Sequence, residues 1–263
     1  MNAERTTADA EGPAWHAAAD GWAEHWAGFA APAREAVAQA AGLTAGTAVL
    51  DAGCGSGEFC ALAASRGARV SGIDAAPGLV EIARRAVPSA EIRTGPIERL
   101  PWPDASFDLV TAFNALQFAA DVGVALAELR RVAGTGAQVA VCNWGRVEDS
   151  EMEAVFRPLA ELKAPRDRPA PRVREPGVLE DVGRQAGLTV RSAAEVDVPY
   201  AFPDRAALER ALRALAPAYG VGPETSEPVV AATVETAASP YRRADGSYRF
   251  ENTYRYVVFA VTA

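Results

Sequence analysis

Val49-Leu50-Asp51-Ala52-Gly53-Cys54-Gly55-Ser56-Gly57 is a short apolar run that ends in three glycines at alternate positions. Ala48, Val49 and Leu50 suit a strand buried on both faces, and Phe59, Leu62 and Ala63 recur at helical spacing until Gly67 offers a stop. The glycines therefore sit between a strand and a helix. Glycine weakens the interior of any regular element, so three of them in five positions point to positive-φ turns or to a backbone lying close against something bulky. A bound cofactor is the expected occupant; a tight strand-to-helix connection without a ligand is the plainer alternative.

Working outward, Ala68-Arg69-Val70-Ser71-Gly72-Ile73-Asp74 reads as the next strand, with Asp74 at its carboxyl end. An acid there can accept hydrogen bonds from both hydroxyls of a ribose. In open parallel sheets ligands bind beyond the carboxyl ends of the strands, which puts Asp74 and the glycine turn on one rim. The dinucleotide fingerprint is G-x-G-x-x-G, whereas here the spacing is Gly53-x-Gly55-x-Gly57, with Glu58 where the last glycine would fall. That spacing argues against a pyrophosphate.

Asp51 leading the glycines, and Asp74 on the following strand, resemble the class I S-adenosylmethionine-dependent methyltransferases. The resemblance implies an α/β fold: a doubly wound, seven-stranded, mostly parallel sheet with the last strand antiparallel, plus helical lid inserts. It implies S-adenosylmethionine as cofactor, S-adenosylhomocysteine as its product, and contacts from Asp51, Gly53, Cys54, Gly55, Gly57, Asp74 and Ala75. A carboxylate at Asp51 favours a cofactor that carries a sulfonium and an amino group. Gly95-Pro96-Ile97-Glu98-Arg99-Leu100-Pro101 is similar to the family's adenine-binding run, but Pro96 stands where the family has an acid, so either Ile97 and Glu98 serve instead or that contact is absent. Asn114 is expected near the cofactor's amino acid moiety, and Gln117 and Trp144 near the acceptor.

The remaining chain fits one domain over residues 14–263 behind a mobile N-terminus over residues 1–13. Trp15, Trp22, Trp26 and Phe29 recur at steps of seven, four and three, one face of a helix over about 14–30. Such a face packs on a core; in the family's W-x6-W pattern it also forms a lid, with Trp22 against the cofactor. A second helix is expected from Pro32 to Ala41, a third behind Pro77, strands over Glu91–Thr94, Phe107–Phe113 and Ala137–Cys142, and a turn at Gly134 and Gly136. Beyond Gly145, cap segments are expected at about 146–175 and 204–240. The first of these contains a proline-rich basic loop, Lys163–Glu175, and the second a loop from Pro217 to Pro228 between two helices. A sixth strand is expected near Leu188–Val198. The last strand follows the Asp245-Gly246 turn and runs to Val261.

Composition narrows the partners. The chain has 263 residues, is 49% hydrophobic and carries a formal charge of −8, enough for a sizeable core and the wrong sign for nucleic acid or an anionic membrane surface. A small-molecule acceptor fits better. No apolar run spans a bilayer and residues 1–12 lack the apolar core of a signal peptide, so a cytoplasmic enzyme is expected. Cys54, Cys60 and Cys142 show neither disulfide nor zinc spacing, and the only histidines, His16 and His25, lie near the start. Neither a metal site nor a histidine base is expected in the core.

Methyl transfer from a sulfonium is an in-line displacement in which alignment and desolvation do most of the work, so no catalytic base is named. Two other classes stay open: a non-methylating descendant that uses the same pocket for a cyclisation or decarboxylation, and a nicotinamide-dependent oxidoreductase.

Overall fold

A computed structural model describes residues 6–162 and 172–262. Its centre is a seven-stranded sheet. The strands are β1 (Ala48–Ala52), β2 (Arg69–Asp74), β3 (Glu91–Thr94), β4 (Phe107–Phe113), β5 (Ala133–Trp144), β6 (Thr189–Asp197) and β9 (Thr253–Ala260), in the spatial order β3-β2-β1-β4-β5-β9-β6. The β1–β2, β1–β4, β2–β3 and β4–β5 pairs are parallel, whereas β9 runs antiparallel to both β5 and β6. Two short strands, β7 (Tyr200–Phe202) and β8 (Tyr248–Phe250), form a separate antiparallel pair. The doubly wound architecture expected from the sequence is thus present, with its final strand reversed.

Alternation along the strands divides the core. Val49, Leu109, Ala140, Cys142 and Val258 face one apolar layer, and Leu50, Val110, Val139, Val141 and Val257 face the other. Helices α3 (Ala31–Ala40), α4 (Glu58–Ser65) and α5 (Pro77–Ala86) supply the first layer; α6 (Val122–Val132) and α8 (Val178–Gln185) cover the second. Local chemistry sets where these helices begin. Pro77 opens α5 with its φ preset, and Asp121 caps α6 by accepting the Val124 amide at 3.0 Å.

Above the carboxyl ends of the strands lies a second helical group: α1 (Thr7–Ala10), α2 (Gly12–His25), α7 (Glu153–Ala160), α9 (Arg205–Leu215) and α10 (Pro223–Glu235). The indole nitrogen of Trp26 donates to the Ala211 carbonyl at 2.8 Å and so ties the start of the chain to α9. Among the described residues no helix is long and apolar enough to cross a membrane.

Four local expectations give way. Residues 7–13 are largely helical where an N-terminus mobile through residue 13 was expected, because Thr6 and Asp9 form a capping box. Gly134 and Gly136 lie within β5, and Gly136 takes φ +87° where the strand is irregular. Pro228 lies inside α10 and not in a loop, where its ring forfeits one helical amide donor. The aromatic helix stops at His25, and Ala27–Ala30 continue it as a 3-10 turn. Residues 163–171, with Pro165, Pro169 and Pro171 of the expected loop, lie outside the described residues.

Candidate active site

The turn after β1 is held almost entirely by the protein's own acceptors. The Gly53 and Cys54 amides donate to the Ile73 carbonyl at 2.7 and 2.9 Å, and the Gly57 amide donates to the Cys54 carbonyl at 2.9 Å. The Gly55 amide donates to Asp74 Oδ2 at 2.9 Å, while Asp74 Oδ1 accepts the Ala76 amide at 2.9 Å. A pyrophosphate site presents free amides, and these four are engaged. Gly53, Gly55 and Gly57 all have positive φ, at +79°, +54° and +95°. At Gly53 a Cβ would stand 2.3 Å from the Cβ of Ala115, so the turn also needs glycine to pass under the segment after β4.

Asp51 is buried, and Asp74 is half-buried on the cavity rim. Desolvation pushes Asp74 up, against the pull of its two amide donors. Desolvation likewise pushes Asp51 up to about 7, although Thr111 Oγ1 donates to it at 2.7 Å. Each Asp74 oxygen has capacity for a further donor, as the two hydroxyls of a sugar would supply.

A cavity of about 470 Å³ opens over this rim, within the range of small-molecule sites. Of the residues expected to touch cofactor or acceptor, Trp22, Gly53, Gly55, Asp74, Ala75, Ile97, Asn114, Gln117 and Trp144 line it. Asp51, Cys54, Gly57 and Glu98 do not. Asp51 is buried beneath the turn beside Cys60, and the Cys54 side chain packs over Gly72, where a Cβ would meet its sulfur at 3.1 Å. Gly57 admits α5, since a Cβ there would stand 3.1 Å from the Cα of Ala83. Glu98 accepts from Thr7 N at 3.2 Å, from Thr7 Oγ1, and from Ala120 N at 2.8 Å. Its carboxylate is a clamp on α1 where a cofactor contact was expected.

Asn114 is also a brace. It sits at φ +50°, accepts the Trp144 amide at 3.0 Å and donates to Tyr254 Oη at 3.3 Å, which meets Tyr200 Oη at 2.6 Å. The rims of β4 and β5 are thereby locked together. Burial pushes the Tyr254 hydroxyl up to about 12, so it remains a neutral hydrogen-bonding group.

The cavity has two halves. Near the glycine turn, Trp15 meets Trp22 edge-on at 5.2 Å and Phe118 at 5.4 Å. Beyond Asn114, Trp144 packs against Phe156 at 5.3 Å and Tyr200 at 5.4 Å. Sequence motifs mark Trp22, the glycine turn and Asp74 in the first half, and Trp144 in the second. Phe156, Arg157 and Arg174 carry no such mark because α7 and the segment before α8 bear no motif and meet the rim only through the tertiary fold.

Comparison with known proteins agrees with this geometry. Residues 50–141 match the family described as methyltransferase domain. Over those residues the chain is similar to S-adenosylmethionine-dependent methyltransferases. The methyltransferase domain is 32% identical over 130 residues to a malonyl-[acyl-carrier protein] O-methyltransferase of Serratia marcescens, covering 45% of this chain and 51% of that one. It is 33% identical over 122 residues to the demethylmenaquinone methyltransferase of Tropheryma whipplei strain Twist, covering 46% and 48%. The matched part therefore spans about half the length of these curated relatives. The fold extends further: the YcgJ protein of Bacillus subtilis superposes with a TM-score of 0.62 at 18% identity, over 88% of this chain and 98% of that one.

The residues of this methyltransferase domain fit S-adenosylmethionine. Asp74 offers a half-buried carboxylate with acceptor capacity to spare, Gly55 leaves space bounded by Trp22 Nε1, 3.7 Å from where its Cβ would be, and Ile97 and Leu79 add apolar walls. The Asp74 carboxylate on the rim of this half suits a cationic ligand.

Proposed function

We propose that this chain transfers a methyl group from S-adenosylmethionine to a small-molecule acceptor. The observation that carries the reading is the Asp74 carboxylate, fixed by the Gly55 and Ala76 amides at the mouth of a cavity that continues past Asn114 into an aromatic chamber. A cofactor held by Asp74 and an acceptor held against Trp144 would share one enclosed space.

Bound S-adenosylmethionine supplies a methyl group on a cationic sulfur, which an acceptor displaces in line. The protein's part is placement. Asp74 and the glycine turn position the cofactor, and Trp22, Trp15 and Phe118 exclude water from it. Asn114 holds β4 and β5 in register at the point where the two halves of the cavity meet. Gln117, half-buried on the 3-10 turn Leu116–Phe118, has its amide available to orient the acceptor. Alignment and desolvation of this kind can lower a barrier by roughly 7–11 kcal/mol in favourable cases. The helices α2, α7, α9 and α10 act as the lid, because water must be kept from the reacting atoms while the acceptor enters.

The test is calorimetric titration with S-adenosylmethionine, S-adenosylhomocysteine and NAD, in the wild type and in Asp74→Ala. Binding of the sulfonium and thioether but not NAD, weakened about 10- to 100-fold by the substitution, supports the reading, as a lost charged hydrogen bond is worth about 1.5–3 kcal/mol. Release of S-adenosylhomocysteine on turnover separates methyl transfer from a cyclisation or decarboxylation in the same pocket.

A further inference from the structure

The far half of the cavity carries charge that cofactor binding does not need. Arg174 Nε donates to the Gly145 carbonyl at 2.8 Å, and its Nη1 pairs with Glu153. The guanidinium lies 5.8 Å from the centre of the Trp144 ring. Its Nη2 is buried without a hydrogen-bond partner among the described residues. Arg157 lies one turn beyond Glu153 on α7, lines the same end of the cavity, and has no ion pair among the described residues. Two guanidinium groups against one carboxylate leave this end with one positive charge, in a chain whose formal charge is −8.

A buried guanidinium donor left without an acceptor is costly, and the arrangement around Arg174 engages Nε and Nη1 while leaving Nη2 without an acceptor among the described residues. Carboxylates match that fork better than any neutral group does. The opposite end of the cavity, with Asp74, has the reverse polarity. An acceptor molecule with an anionic end would enter with that end toward Arg174 and away from the acids.

We propose that the acceptor is a carboxylate-bearing small molecule with an apolar or aromatic body. Its carboxylate binds the Arg174 guanidinium, with Arg157 adding long-range attraction. Its body lies against Trp144, Phe156 and Tyr219, all of which line the cavity. This rests on the reading of the aromatic chamber as the acceptor half of a methyl-transfer site.

The test uses protein saturated with S-adenosylhomocysteine, titrated calorimetrically with benzoate, 3-phenylpropionate and hexanoate and with the matching amides. At least one acid should bind tenfold or more tightly than its amide. Arg174→Gln should abolish that preference, and Arg174→Lys should retain part of it as a point charge. Arg157→Gln, at an exposed position that folding tolerates, should weaken the acid severalfold without changing the amide. Retained S-adenosylhomocysteine binding in each variant shows that the fold is intact. The proposal is overturned if no acid in the series outbinds its amide, or if the preference survives Arg174→Gln. Failure of the methyl-transfer reading looks different: S-adenosylhomocysteine itself would not bind, whatever the acids do.

Discussion

Glu98 and Thr7 are joined twice: the carboxylate accepts from both the backbone amide and the hydroxyl of Thr7. The same carboxylate takes the Ala120 amide at 2.8 Å, so one side chain fastens α1 to the loop after β3 and to the segment after β4. Since Thr7 and Ile97 both line the cavity, this fastening closes its cofactor end.

Glu98→Ala should therefore release α1. Hydrogen bonds to a charged group contribute about 1.5–3 kcal/mol each before coupling, so amide exchange at Thr7–Glu11 is expected to rise at least tenfold by mass spectrometry. Exchange in β1 and β4 should stay unchanged; acceleration there as well would mean that Glu98 supports the whole domain.

Asp51 makes stability depend on pH. Its carboxyl is pushed from an ordinary 3.8 to about 7 by burial, so the folded state holds the proton more tightly than the unfolded chain. Below about pH 4 both states are protonated and nothing is lost. As pH rises toward 7 the unfolded chain releases its proton first and the fold is destabilised, on the order of 4 kcal/mol at the plateau. Asp51→Asn keeps an acceptor for Thr111 and removes the ionisation. Urea unfolding should show the variant gaining on the wild type between pH 4 and pH 7, with a constant advantage above that. A gap that is the same at pH 4 and pH 8 would contradict this account.

Gly53→Ala combines two faults, a positive φ and a Cβ at 2.3 Å from that of Ala115. Overpacking costs about 1–3 kcal/mol and left-handed backbone about 1–2 kcal/mol. The single variant should melt several degrees lower, and adding Ala115→Gly should recover the packing share but leave the backbone share. Full recovery would show that conformation at residue 53 is not limiting.

Trp22→Ala should open the cofactor half of the cavity. Loss of roughly 1–2 kcal/mol of apolar contact predicts about tenfold weaker S-adenosylhomocysteine binding in calorimetry. Trp22→Phe, which retains much of the apolar face, should lie between the two.

Strands β3 and β4 were legible to the residue: β3 ends at the Gly95-Pro96 break, and β4 is a mostly apolar run that stops at Asn114. The order of strands and helices up to β5 follows from that punctuation, and the reversed last strand from the family resemblance. Asp74 and the glycine turn were legible because a single motif places them together. The bracing by Glu98 and Asn114 was not: the resemblance implied only a ligand contact for each, and in the fold Glu98 receives three donors while Asn114, on the cavity wall, also spans two strands. Arg157 and Arg174 were invisible as a pair, since seventeen positions separate them and neither lies in a periodic pattern that marks a site. Glycine and proline misled wherever tertiary packing overrode local preference, at Gly136 in β5 and Pro228 in α10.

The place of β9 between β5 and β6 has a consequence for how the chain is made. During synthesis β6 emerges long before β9, yet among the described residues β9 is its only neighbour in the seven-stranded sheet. Until residues 253–260 arrive, β6 has no ladder to join and the outer edge of β5 is bare. Open edges of this kind recruit other chains. A nascent or truncated polypeptide lacking that last strand would carry two unsatisfied edges, and ribosome-bound intermediates should be the most aggregation-prone form this sequence ever takes.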